Sequence, residues 1–181
     1  MAAVVSIHEI RTYDPEPVAV ALRTCLEPLG GIGAFVRSGQ TVLLKPNLLQ
    51  AASPEKAVTT HPAVVRAMID LCREAGARVW VGDNPGVGDP AAIARKSGIL
   101  AAVAGGGGEW IDLTATRVFE APENRVGRRI ELPGALDRVD VLITLPKLKT
   151  HGQLTFTGAV KNQFGLVPGR WAWLLRPLER L

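Results

Sequence analysis

Thr41-Val42-Leu43-Leu44-Lys45-Pro46-Asn47 is the stretch whose reading decides the fold. Residues 41–44 form a short apolar run between the turn pair Ser38-Gly39 and the polar exit Lys45-Pro46-Asn47. A run of that length without alternation reads as a buried strand. Buried strands of this kind are typical of parallel sheets, whose neighbours require crossover connections.

Working outward, the pattern repeats in both directions. Upstream, Asp14-Pro15 supplies an N-cap and a first-turn proline, and Val18, Ala21, Leu22, Cys25, Leu26 and Leu29 recur with helical spacing until Gly30-Gly31. Residues 4–10 alternate apolar and polar, which predicts a first strand. Downstream, Thr60-His61-Pro62 opens a second helix with the stripe Val64, Val65, Met68, Leu71, Cys72 and Ala75, closed by Gly76. Arg78-Val79-Trp80-Val81 is the next strand and leaves through Gly82-Asp83-Asn84-Pro85-Gly86. Asp89-Pro90 starts a third helix that runs out in the glycines 105–108. Short alternating runs at 116–121 and 128–132 give a β-rich excursion, and residues 139–145 form another apolar strand leaving through Pro146-Lys147-Leu148-Lys149-Thr150-His151. A helix is expected over 157–164. Strands alternating with helices define an α/β fold: a largely parallel sheet with helices on both faces and a short β-rich excursion around 110–133. Residues 1–181 are expected to form a single α/β domain.

Composition narrows the partners. The chain has 181 residues, 47% hydrophobic and 21% charged, an ordinary globular balance. A net charge of +4 favours anionic partners, but Lys and Arg are scattered, and no nucleic-acid motif is present, so nucleic acid is not expected. Residues 1–10 lack the features of an export signal and no apolar run approaches membrane-spanning length; a soluble, cytoplasmic protein without membrane contact is the expectation. The two cysteines, Cys25 and Cys72, sit on helix stripes and form no Cys-x-x-Cys, so they read as buried hydrophobes. Gly30-Gly31-Ile32-Gly33 follows a helix rather than a strand, the wrong context for a dinucleotide-binding loop.

Ligands of open α/β sheets settle outside the carboxyl ends of the strands. Three apolar strands here leave into polar segments: Lys45 and Asn47 after one, Asp83 and Asn84 after the next, and Lys147, Lys149 and His151 after the third. Each has a plainer alternative, since strand-end lysines can be merely solvated and Asp83-Asn84-Pro85-Gly86 can be only a turn. Their coincidence at three exits favours one ligand-binding edge. His61, at a helix start, either meets a ligand or caps the helix. Lys161 and Asn162 follow a Gly- and Thr-rich loop that lets backbone approach a ligand closely.

Together, Val42-Leu43-Leu44-Lys45-Pro46-Asn47-Leu48, Thr59-Thr60-His61-Pro62, Val81-Gly82-Asp83 and the run 145–169, LPKLKTHGQLTFTGAVKNQFGLVPG, resemble the family called domain of unknown function 362. Some of its members carry a ferredoxin-like iron–sulfur module whose cysteines this sequence lacks. A more distant similarity reaches the nickel-pincer lactate racemases, in which Lys45-Pro46, His151, Lys161 and Pro168-Gly169 would have counterparts. That resemblance implies an acid/base role for His151 and an anchoring role for Lys161. The racemases' nickel-binding His has no counterpart before Leu181, so nickel is not carried over.

The resulting expectation is a small-anion site, potentially an enzyme half-site. His151 and Lys161 would be the catalytic residues, and Lys45, Asn47, His61, Asp83, Lys147, Lys149 and Asn162 the ligand-binding ones. The cofactor, if any, is not specified by the residues. The alternative is a non-catalytic accessory or electron-transfer protein. The resemblance also implies continuation past residue 181 in relatives, and the apolar stretch Trp171-Ala172-Trp173-Leu174-Leu175 is expected to seek a partner surface, through self-association among other routes. With two separated cysteines and three histidines far apart in sequence, elemental analysis after anaerobic purification should find neither iron nor zinc in stoichiometric amount. One tightly held metal ion per chain would overturn that expectation.

Overall fold

The computed structural model describes residues 4–85, 88–125, 128–151 and 155–167. The apolar stretch 171–175 and the pair Pro168-Gly169 lie outside the described residues.

The α-helices α1 (Pro15–Leu26), α2 (Pro62–Glu74), α3 (Pro90–Lys96) and α4 (Ile99–Gly106) accompany strands β1 (Thr41–Pro46), β2 (Arg78–Val81) and β3 (Glu109–Trp110). The hairpin β4 (Thr116–Glu120) and β5 (Arg129–Pro133) follows, then β6 (Val141–Leu145). The main sheet has the order β3-β2-β1-β6, and its pairings are parallel. Leu43 therefore stands between Trp80 and Leu142, and Leu44 between Val81 and Ile143.

Strand pleating sends alternate side chains of β1 to opposite faces. Val42 and Leu44 join Val79 and Val81 in the larger core, which is completed by Val65, Met68, Ile69, Leu71 and Cys72 of α2, Ile93 and Ala94 of α3, and Ile99 and Val103 of α4. Leu22 and Leu26 of α1 pack against the same cluster. Leu43 and Trp80 point the other way, into a smaller core with Leu113, Leu132 of β5 and Leu166. Single 3₁₀ turns at Gly134–Arg138 and Gln163–Leu166 help cover this second face. Helical segments thus lie on both faces, but the long ones share one side.

Local chemistry explains the element ends. Pro62 opens α2, and His61 caps it by accepting from the Ala63 amide at 3.2 Å. At the other end Gly76 adopts φ +83°, letting the Ala77 amide donate to the Cys72 carbonyl at 3.1 Å. A Cβ on Gly76 would also strike Ser38, 2.6 Å from its Oγ.

Three expectations change. Residues 4–10 form no strand, and Ile7 is 90% exposed. Alternation marks a chain that suits a sheet, but a strand also needs a neighbour for its backbone groups. The third helix is two: Gly98, at φ +77°, breaks it between α3 and α4. The helix over 157–164 starts later, as one α-turn, α5 (Ala159–Asn162), that runs straight into the 3₁₀ turn Gln163–Leu166, because the chain before it pairs as β7 (Lys149–His151) with β8 (Thr155–Thr157). The β-rich excursion is the β4–β5 hairpin, joined by a longer loop.

Leu44, fully buried at the centre of the sheet, should be expensive to truncate. Leu44→Ala is expected to lower unfolding free energy in urea by about 3 kcal/mol. Leu148→Ala, at a side chain 74% exposed, should stay within about 0.5 kcal/mol of the parent. Equal midpoints for the two variants would contradict this packing.

Candidate functional site

After β1 the chain builds β2 and then β3 outward on one side, and it returns to the other side of β1 with β6. The strand order reverses at that junction, so the crevice outside the carboxyl ends of β1 and β6 is where a ligand site is expected. The polar residues at the strand exits gather there.

Lys45 lies on the same side of β1 as Leu43 and is 0% exposed. Its Nζ lies 2.5 Å from Asp83 Oδ1, a short ion-pair contact rather than an aligned hydrogen bond. Asp83 follows β2 through Gly82, is 3% exposed, and accepts at Oδ2 from the Leu48 amide at 2.7 Å. Burial pushes the Lys45 amine below the ordinary lysine range, against the opposing pull of Asp83. It pushes the Asp83 carboxyl above the usual aspartate range, opposed by Lys45 and by the Leu48 and Asn84 amides. Each group therefore depends on the other to carry charge at this depth.

Asn162 of α5 completes the lock. Its Oδ1 accepts from Lys45 Nζ at 3.4 Å, and its Nδ2 donates to Thr144 Oγ1 at 2.7 Å and to the Lys45 carbonyl at 3.1 Å. One amide thus ties α5 to both strands of the crevice. Gly165 then passes directly over the ion pair: a Cβ there would overlap Asp83 Oδ1 and come within 2.6 Å of Lys45 Nζ.

Outside this buried layer lies a more open one. Thr60 donates to the Leu145 carbonyl at 2.5 Å and accepts from the Asn47 amide at 2.8 Å, joining β6 to the chain after β1. Lys149 donates to Asn47 Oδ1 at 2.7 Å and to the Val58 carbonyl at 3.0 Å. It is half-buried, and its amine is held below the ordinary lysine range by burial first, then by Lys147 and Lys161, with Asp83 opposing. His61 stacks on Tyr13, ring centroids 3.8 Å apart, while Lys147 Nζ meets the Tyr13 hydroxyl at 3.4 Å. The acceptor role of Nδ1 toward Ala63 leaves Nε2 to carry the proton of the neutral ring. Burial, and after it Lys147, lowers the His61 pKa, while Glu55 opposes.

The structure thus gathers Lys45, Asp83 and Asn162 in one buried cluster and links Asn47 to Lys149 beside it. Lys161 precedes Asn162 on α5. The backbone of His151 pairs with Thr155 in the β7–β8 hairpin; its side chain lies outside the described residues. Sequence reasoning left out Tyr13, Thr60, Thr144 and Gly165. Only Thr60 and Gly165 carried a signal, through the motifs around them, since their partners are distant along the chain. Cys25 is partly buried, and Cys72 is in the core with its thiol pushed up to about 11 by burial, the opposite of an activated thiol.

An α/β protein with its polar residues concentrated around a buried Lys–Asp pair at the carboxyl edge of a parallel sheet is the class this geometry defines. Residues 42–176 match the family described as "Domain of unknown function (DUF362)", and the chain belongs to that family. It is 39% identical over 174 residues to the "Thylakoid-associated protein sll1697" of Synechocystis sp., covering 96% of this chain and 54% of the relative. The chain therefore spans about half the length of that relative. No solved structure matches it.

Removing one member of the buried pair should be far worse than removing both. Lys45→Met should cost about 3–5 kcal/mol by chemical denaturation at neutral pH. Lys45→Met/Asp83→Asn should recover much of that, because the Asn oxygen still accepts from Leu48 while no charge is stranded. In Lys45→Met the upward push of burial on Asp83 loses its main opponent and keeps only the Leu48 and Asn84 amides against it, so its folded pKa exceeds its unfolded one. The deficit is therefore full above the folded value and shrinks as pH falls toward the ordinary aspartate range. A double variant as unstable as the single one at every pH would refute the pairing.

Proposed function

We propose that the carboxyl edge at the β1–β6 junction binds a small anionic ligand, a carboxylate or phosphate, and that the chain supplies an enzyme site or half-site. One observation carries this reading: Lys147, Lys149 and Lys161 share one electrostatic neighbourhood, and among the described residues none forms an ion pair with a carboxylate. Asp83, the nearby acid, is already paired with Lys45. Uncompensated cations around a polar edge attract an anion, and the anion relieves their mutual repulsion.

In this reading Lys147, Lys149 and Lys161 bind charge, and Asn47 orients Lys149. His61 offers a neutral Nε2–H donor, and His151 transfers protons. Lys45, Asp83 and Asn162 act from beneath by fixing the strand ends. The short α5 leaves little helix dipole to contribute, so lysine charge is the main attraction. A cytoplasmic location belongs to the same proposal. Among the described residues no helix is long and apolar enough to cross a membrane, and the Synechocystis relative is named as thylakoid-associated.

Calorimetric titration with inorganic phosphate and with pyruvate tests the reading. Lys149→Ala and Lys161→Ala should each weaken binding by about tenfold to a hundredfold, the worth of a hydrogen bond to a charged group, with little change in urea midpoint. Affinity should be full while Lys149 is protonated and fall as pH rises through its depressed pKa, at a lower pH than an ordinary lysine would give. Heat signals absent for both anions at millimolar concentration would sink the proposal.

A further inference from the structure

The anion reading leaves open what the most unusual accessible lysine does. Lys45 has a buried amine committed to Asp83 beneath Gly165, so no substrate atom can reach it in this conformation. Lys56 and Lys96 are exposed side chains. Lys149 differs from both kinds. It is half-buried, held at a defined position, and acted on by two like charges, Lys147 and Lys161, against one acid, Asp83, that is paired with Lys45.

Its hydrogen bonding matters here. An uncharged amine has two N–H donors and one lone pair, whereas the ammonium form has three donors. Lys149 has two acceptors, Asn47 Oδ1 at 2.7 Å and the Val58 carbonyl at 3.0 Å, each a neutral oxygen. These match the two donors of the uncharged amine and leave its remaining tetrahedral direction for the lone pair. Asn47 is itself fixed by the Thr60 contacts to its backbone, so the amine is aimed rather than freely rotating. The charged groups acting on it are Lys147 from the β6 exit, Lys161 from α5, and Asp83 from the loop after β2. Two cations thus oppose its protonation, and the acid that favours it is already paired. Desolvation next to other cations is the arrangement that makes a lysine nucleophilic near neutral pH.

We infer that Lys149 is a nucleophilic amine that forms an imine with an aldehyde or ketone bearing a carboxylate or phosphate, a role that rests on the anion-binding reading. Lys147 and Lys161 bind the anionic group, and Lys149 Nζ meets the carbonyl carbon. The Lys149 lone pair forms the C–N bond, the carbonyl π pair moves to oxygen, and the amine proton passes to that oxygen to give a carbinolamine. The carbinolamine hydroxyl then takes up a proton from solvent and the C–O bond breaks with loss of water while the nitrogen lone pair closes the C=N bond, leaving a protonated imine. No electrons are gained or lost, and water is the only product released. The charged imine draws electrons from the adjacent carbon, so the fitting substrate class is a 2-oxo acid or a phosphorylated carbonyl compound.

Two carbonyl probes with borohydride reduction test this on the whole chain: pyridoxal 5′-phosphate and pyruvate, each followed by peptide mass mapping. Lys149 should be modified roughly tenfold faster than Lys56 and Lys96, because a larger fraction of its amine is uncharged. The rate should reach half its maximum at a lower pH than an ordinary lysine would give. Lys149→Arg should abolish the fast adduct, whereas Lys56→Arg, at an exposed side chain outside the site, should leave the adduct at Lys149, phosphate binding and the urea midpoint unchanged. Modification of Lys149 no faster than of Lys56, in protein that binds phosphate by calorimetry, would overturn the inference and leave the anion reading standing. Fast modification that neither phosphate nor sulfate slows would support the nucleophile and overturn the anion reading.

Discussion

An ammonium and a carboxylate 2.5 Å apart, both almost wholly removed from water, set the terms for the site end of this molecule. Neither charge is tolerable there alone, since burial drives each toward its neutral form. The pair therefore demands that β1 and the chain after β2 stay in register at their carboxyl ends. It demands further that the Leu48 amide and Asn162 face inward to complete its polar contacts. Gly165 is a consequence of the same constraint, because the chain closing over the pair has no room for a side chain.

With that layer fixed, the residues above it acquire definite positions. Thr60 bridges Leu145 and Asn47, Asn47 aims Lys149, and the His61 ring is held between its capping bond and Tyr13. The result is a rim of lysines whose charges are not cancelled locally, above a base whose charges are. This division of labour leaves no unpaired charge stranded in the core. It also separates two settings of lysine within one edge: Lys45 is buried against Asp83, and Lys149 is half-buried on the neutral oxygens of Asn47 and Val58.

The two faces of the sheet are served differently. Long helices and the larger core cover one side, while short turns and the β4–β5 hairpin cover the other. Lys45 points toward the second side, and there the 3₁₀ turn carrying Gly165 and Leu166 joins the site to the smaller core. The packing of Leu166 with Leu43 and Trp80 thus helps hold Gly165 over the ion pair. Stability of the second core and order in the site are linked through that one turn.

The sequence by itself determined the α/β class, the strands β1, β2 and β6, the helix α2, and the gathering of polar residues at three strand exits. These follow from local apolar runs, helical spacing and the proline and glycine punctuation around them, which act over a few residues. The tertiary structure alone decided that 4–10 has no strand partner, that Gly98 divides a helix, and that 149–157 pairs as a hairpin. It alone turned Lys45 and Asp83 inward toward one another, brought Asn162 and Gly165 over them, and placed Tyr13 against His61. Each of these depends on contacts between segments far apart in the chain, where desolvation and close packing select the partner and local propensity has no bearing.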